Sequence, residues 1–158
     1  MKEIKLSQGQ VALVDDEYYE FLNQWKWYAY KGINDVFYVA RSIKRVQIKM
    51  HREILGLTLF EERGDHIDHN GLNNQRGNLR KCTHQQNCKN RSSAKGSSSK
   101  YLGVHWKKQI NKWNARVVVC NKLKHLGYFT NEADAAKAYN DAAIKYHGEF
   151  ANLNTILI

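Results

Sequence analysis

Asp65-His66-Ile67-Asp68-His69-Asn70-Gly71, followed by Asn78-Leu79-Arg80 and then Asn87, is the stretch on which the reading of this chain turns. Asp65 and His66 set a carboxylate beside an imidazole on what reads as a strand, and an Asn-rich, Gly-punctuated loop follows. Thr83-His84-Gln85-Gln86 has the form of a capping box, so a helix is expected to start at Thr83. That helix carries Asn87 one turn in, pointing back at the strand pair. Asn78 lies in the loop, where a carboxamide can tie backbone groups together. The expected local order is strand, loop, strand, helix. Neighbouring strand residues point to opposite faces, so Asp65 and His66 serve one site only where the backbone bends or the site lies edgewise.

These residue types suit phosphodiester cleavage, which needs an activated water, charge relief at phosphate and a stabilised leaving oxygen. A neutral imidazole supplies the first and a divalent cation the other two. Asp65 is a hard oxygen ligand of the kind Mg²⁺ takes, and Asn87 offers a neutral oxygen; Mg²⁺ keeps several waters and needs few protein ligands. Arg80 and Arg91 either clamp a phosphate or serve solubility. His69 and His84 read as turn or solvated residues. Cys82, Cys88 and Cys120 have no CxxC spacing and read as reduced thiols of an intracellular protein, although Cys82-x-His84 with Cys88 leaves a zinc site conceivable.

The totals bound the class. The chain has 158 residues, 42% hydrophobic and 25% charged, and a formal net charge of +10. It is a globular protein of one or two small domains with a polyanion, foremost nucleic acid, as the expected partner. Residues 1–91 hold 15 basic against 11 acidic side chains, whereas residues 100–158 hold 9 against 4. From Lys100 through Asn131 there are seven basic residues and no acidic one, which makes that stretch the better candidate for phosphate contact. No signal peptide and no long apolar run is read, so a soluble, cytoplasmic protein is expected.

Residues 92–99, Ser-Ser-Ala-Lys-Gly-Ser-Ser-Ser, have little to bury and read as a flexible linker between domains 1–91 and 100–158. In the first domain, Ile4–Leu6 and Val11–Val14 read as strands around a Gln8-Gly9 turn. Asp15 or Asp16 caps a helix through Leu22, and Trp25, Trp27, Phe37 and Val39 fit strands around a Gly32–Asp35 turn. Gln47–Leu55 reads as strand or helix, stopped by Gly56. In the second, Val104–Trp106, Trp113–Cys120 and His125–Phe129 read as strands, then a helix runs from Glu132 to Tyr146 with Asn131 as cap and Gly148 at its end. Trp113, Ala115, Val117 and Val119 face that helix; Asn114, Arg116 and Val118 face away, with Lys107, Lys122 and Lys124 nearby.

At Asp65-His66, Asn78-Leu79-Arg80, Asn87 with Asn90, and His51-Arg52 upstream, the chain resembles the HNH endonuclease family over roughly residues 48–91. The resemblance implies a ββα-metal module in which Asp65 and Asn87 ligate the metal, His66 is the general base and Asn78 organises the loop. The paired CxxC of the zinc-braced subgroup is missing, so no structural zinc is implied. Residues 100–154 are similar to the plant ethylene-response-factor (APETALA-type) DNA-binding domain. Lys100-Tyr101-Leu102-Gly103-Val104, Lys112-Trp113-Asn114-Ala115-Arg116, Leu126-Gly127-Tyr128-Phe129, Ala135-Ala136-x-Ala138-Tyr139 and Ala151-Asn152-Leu153-Asn154 carry that likeness. In that family the sheet enters the major groove. The matching positions here are His105, Lys107, Arg116 and His125, with Leu102, Ile110 and Val118 where the plant domains carry Arg or Trp.

The expected fold is therefore α+β: a β-rich lead-in and a ββα-metal HNH module, linked to a three-stranded antiparallel sheet packed on one helix. The expected function is a DNA endonuclease of the homing type, using Mg²⁺ or Mn²⁺ and acting as a monomer without an obligate protein partner. Catalysis falls to His66, Asp65, Asn78 and Asn87, and DNA contact to Arg80, Arg91, His105, Lys107, Arg116, Lys122, Lys124 and His125. The rival readings are a non-catalytic DNA-binding regulator and a protein acting on RNA.

Overall fold

The computed structural model describes residues 1–32, 35–58, 62–89 and 96–156, and divides into two compact units, 1–87 and 88–158. Both are α+β, made of small antiparallel sheets and few helices.

The first unit opens with a hairpin of β1 (Lys2–Lys5) and β2 (Val11–Val14), then the short helix α1 (Asp16–Leu22). A three-stranded sheet follows, β3 (Tyr28–Lys31), β4 (Phe37–Ile43) and β5 (Val46–Lys49), with β4 central. Trp25 and Trp27 precede β3 rather than lie on it. The ambiguous stretch resolves into both alternatives, since β5 runs directly into α2 (Met50–Ile54). Val14, Leu22, Trp27, Val39 and Met50 are fully buried in one apolar cluster, and Trp27 Nε1 donates to the Leu22 carbonyl at 2.8 Å. That bond satisfies the indole's only donor, so the ring contributes its apolar area without a polar penalty.

Asp15 stands at the N-cap position of α1 yet makes no capping bond. Its carboxylate accepts instead from the Arg76 backbone N–H at 2.6 Å and from Gln75 Nε2 at 3.3 Å, bracing a loop sixty residues downstream. On β4, buried Arg41 pairs with Glu53 and lies against the Trp25 ring, 4.1 Å from its centroid. Removing one member of a buried pair strands the other's charge, so Glu53→Ala is expected to destabilise this unit by about 3–5 kcal/mol. Urea denaturation measures it; a midpoint equal to wild type would show the pair to be inert.

The second unit is a sheet of β8 (Val104–Lys107), β9 (Lys112–Val119) and β10 (Lys122–Phe129), ordered β10-β9-β8, against the helix α4 (Glu132–His147). Cys120 and Asn121 both have left-handed φ, 49° and 60°, which matches the two-residue turn closing β9 onto β10. Ala135, Ala136, Ala142 and Ala143 of α4 are buried with Ala115 and Val117 of β9, so small side chains let helix and sheet approach closely. Asn131 Oδ1 accepts from Ala133 N at 2.8 Å, capping α4 as expected. The end of the Ser/Gly stretch belongs to this unit: Ser98 Oγ accepts from Trp106 N, and buried Ser99 bridges Tyr101 N and Glu132. Residues 92–95 lie outside the described residues.

Candidate active site

The strand β6 (Arg63–His66) pairs antiparallel with β7 (Leu79–Cys82), placing Asp65 opposite Arg80 and His66 opposite Leu79. The helix α3 (His84–Lys89) follows. Its start is the reciprocal box expected from the sequence: Gln86 N donates to Thr83 Oγ1 at 3.2 Å, and Thr83 N donates to Gln86 Oε1 at 2.8 Å. Asn87 lies in the first turn, its N–H on the Thr83 carbonyl at 3.0 Å.

Asn78 ties the intervening loop together. Its Nδ2 donates to Asp68 Oδ1 and to the Asn73 carbonyl, both at 2.8 Å, and its Oδ1 accepts from Asp68 N at 3.1 Å. Partial burial opposes the Asp68 charge, but hydrogen bonds from Asn73, Asn70 and Asn78 outweigh it and hold the carboxyl below its ordinary range. The loop is further joined to the lead-in, since Leu13 N donates to the Leu72 carbonyl and Asn74 N donates to the Leu13 carbonyl. The N-terminal hairpin is thus part of the site's scaffold, not a separate preface.

Asp65 is 6% and His66 5% exposed. Asp65 Oδ2 accepts from Arg80 Nε at 2.9 Å and Nη2 at 2.7 Å, so the guanidinium meets the carboxylate inside the protein. The His66 ring sits among others: Tyr38 at 5.8 Å, the edge of His51 at 5.0 Å, and Asn74 Oδ1 at 3.4 Å from Nε2. Burial depresses the His66 pKa, against the raising effects of Asn74, Asp68 and Asp65, so the imidazole is neutral at physiological pH. Gly64, one residue before Asp65, permits this packing, since a Cβ there would lie 2.8 Å from His51 Cδ2.

His51 is pushed down to about 3, first by burial and then by His66, Lys49 and Arg52. Its Nδ1 has no hydrogen-bond partner among the described residues. The unfolded chain binds this proton near pH 6.5 and the folded chain only near pH 3. Stability is therefore complete above 6.5 and falls as the pH drops toward 3, by on the order of 1.4 kcal/mol per pH unit from this group. Urea midpoints across that window check the sign; a midpoint that rises on acidification would contradict it.

Asp65 and Asn87 offer carboxylate and amide oxygens, the hard donors that Mg²⁺ or Mn²⁺ prefers. Thiolate ligation is disfavoured at Cys82, whose thiol is buried and pushed up to about 11. Among the described residues no group of three or more His, Cys, Asp or Glu side chains is placed to hold a metal ion by itself.

In the second unit, alternation along β9 puts Asn114, Arg116 and Val118 on the face away from α4. Register sets them opposite Tyr128, His125 and Leu123 on β10, with His105 beside Asn114 on β8. His125 Nδ1 lies 2.8 Å from Asn114 Oδ1, Lys107 Nζ donates to the Tyr128 hydroxyl and Lys124 Nζ to the Tyr146 hydroxyl. Lys122 is exposed. Arg91 and Asn90 lie outside the described residues. The side chains that sequence reasoning missed are Asn74, Tyr38 and, as part of the site itself, His51.

No family model matches the chain, and no solved structure does. It is 34% identical over 154 residues to an uncharacterized HNH endonuclease of Acanthamoeba polyphaga mimivirus, spanning 94% of this chain and 77% of that protein. The chain belongs to the HNH endonuclease family. Its C-terminal part is similar to plant proteins of another kind. It is 33% identical over 69 residues to the AP2-like ethylene-responsive transcription factor TOE2 of Arabidopsis thaliana, and 36% over 66 residues to APETALA2-like protein 2 of Oryza sativa subsp. japonica. Those matches span 44% and 42% of this HNH chain but only 14% and 15% of the plant proteins.

Proposed function

We propose that this HNH protein is a DNA endonuclease of the homing type, in which β6, β7 and α3 form a ββα-metal module and the C-terminal sheet holds the duplex. The observation that carries the reading is a buried imidazole next in sequence to a buried carboxylate, at the mouth of a loop closed by Asn78. His66 is the last residue of β6, where the strand gives way to the loop, and this supports an edgewise site shared with Asp65. His66 takes the proton of the attacking water. Asp65 and Asn87 would hold Mg²⁺ or Mn²⁺, which when bound relieves charge at the phosphate and the departing 3′ oxygen. Arg80 keeps the carboxylate in place, and phosphate contact is assigned to Arg80 and Arg91 on their charge alone.

The second half of the reading rests on charge. The outward face carries His105, Lys107, Arg116 and His125 on a stretch without acidic residues, whereas Lys122 and Lys124, paired with Val119 and Val117, extend from the α4 side at the hairpin end. Lysines of this kind position a backbone without reading sequence. The arrangement of a nuclease domain 1–91, a linker and a DNA-binding domain 100–158 lets two modest surfaces reinforce each other by effective concentration. Among the described residues no helix is long and apolar enough to cross a membrane. A monomer acting without a protein partner is part of the proposal.

Supercoiled plasmid incubated with the full chain is expected to be nicked or linearised with Mg²⁺ and untouched in chelator. Asp65→Ala is expected to abolish cutting while gel retardation persists. Retardation by wild type with no Mg²⁺-dependent cutting would establish the regulator reading instead. Preferential cutting of RNA in competition would replace the substrate.

A further inference from the structure

Asn74 is completely buried, and every polar atom of its side chain is engaged within hydrogen-bond reach. Its Nδ2 donates to the Gly71 carbonyl at 3.3 Å and to the Leu72 carbonyl at 3.2 Å. Two carbonyl partners fix which end of the amide is nitrogen, so the atom 3.4 Å from His66 Nε2 is the oxygen. An amide oxygen only accepts; the hydrogen between them therefore belongs to Nε2. A neutral imidazole protonated there carries its lone pair on Nδ1. The amide is itself held from outside the loop, because Asn74 N donates to the Leu13 carbonyl at 2.8 Å and Asp15 fixes the next two residues.

We propose that Asn74 is the positioning residue of the base: it selects the Nε2–H tautomer of His66 and so makes Nδ1 the nitrogen that accepts the proton. The inference rests on the nuclease reading above and deepens it. In the step it describes, a water O–H bond breaks and its proton goes to Nδ1. The water oxygen bonds to phosphorus, and the 3′ oxygen departs with the electron pair of the broken P–O bond. The lead-in strand β2 enters the chemistry through the Leu13 carbonyl, which holds the residue that orients the ring.

The test begins with the wild-type full chain labelled with ¹⁵N-histidine, in which the ring signals of His66 are those lost in His66→Gln. Long-range proton–nitrogen spectra are expected to show His66 hydrogen on Nε2. Asn74→Ala is expected to relax the ring toward a tautomer mixture and to lower kcat roughly 10²-fold with KM nearly unchanged. That loss is smaller than the ~10⁴ caused by a wrong tautomer in a serine-protease triad, where a carboxylate is the partner. Asn74→Asp, which in its protonated form keeps an acceptor at Nε2 and an O–H for the Gly71 or Leu72 carbonyl, is expected to restore the tautomer and part of kcat. A wild-type His66 ring carrying hydrogen on Nδ1 would overturn the assignment even if no Asn74 variant folds, and so would an unchanged kcat in folded Asn74→Ala. If His66→Gln cuts as fast as wild type, the base itself is misassigned and this role goes with it. If His66→Gln is inactive but the tautomer is wrong, only the role of Asn74 fails.

Discussion

His66→Ala is expected to lower the rate of plasmid cleavage by about 10²–10⁴-fold, the range contributed by a positioned general base. The ring is 5% exposed, so its removal also opens a hole bordered by Tyr38, His51 and Asn74. A hole of this kind offers two ways to separate lost chemistry from lost structure. DNA retardation should persist, because the basic sheet lies in the other unit. Added imidazole should enter the vacated space and recover part of the rate, which a merely destabilised protein would not do. The pH profile supplies a third sign. Burial favours the neutral ring, so the base form survives below the ordinary histidine value of 6.5, and the rate should stay level down to that pH before falling with further acid. Cleavage by His66→Ala at the wild-type rate would remove the base from the mechanism.

What the sequence made legible here is what short-range forces decide. The Thr83–Gln86 box, the Asn131 cap and the alternation along Lys112–Val119 each involve groups a few residues apart, and each is formed. Asp15 illustrates the opposite case: locally it is a helix cap, but its carboxylate is taken by Arg76 N across the fold. A donor held rigidly in a distant loop outcompetes the fraying N–H groups of a seven-residue helix. Asn73 and Asn74 are indistinguishable as adjacent letters, yet Asn73 Nδ2 reaches Asp68 whereas Asn74 turns inward to His66. Which one faces the base depends on the β2 edge docking against the loop, a long-range pairing that no local pattern reports. The same holds for Arg41, whose burial between Trp25 and Glu53 depends on residues far apart in the chain. Ser98 and Ser99 read as linker by composition and are fastened by Trp106, Tyr101 and Glu132.

Gly103→Ala is expected to unfold the second unit. Gly103 has φ +76°, and a Cβ built there would stand 2.1 Å from Tyr139 Cδ2 and 2.6 Å from the Arg116 carbonyl oxygen. The left-handed backbone alone costs a non-glycine residue about 1–2 kcal/mol, and overpacking adds roughly 1–3 kcal/mol. The usual relief, movement of the chain, is closed off because the Gly103 carbonyl accepts from Arg116 N at 2.9 Å and Leu102 is held on both sides by Asn154. Small domains have stabilities near the lower end of about 5–15 kcal/mol, so a loss of this size removes most of the folded population. DNA retardation should disappear together with the dispersed amide signals of residues 96–156. Tyr139→Ala added to Gly103→Ala separates the two contacts. It removes the ring but leaves the Arg116 carbonyl 2.6 Å from the new methyl, so recovery should be incomplete. A Gly103→Ala protein that melts at the wild-type temperature and retards DNA normally would mean that the helix and sheet do not approach each other as closely as described.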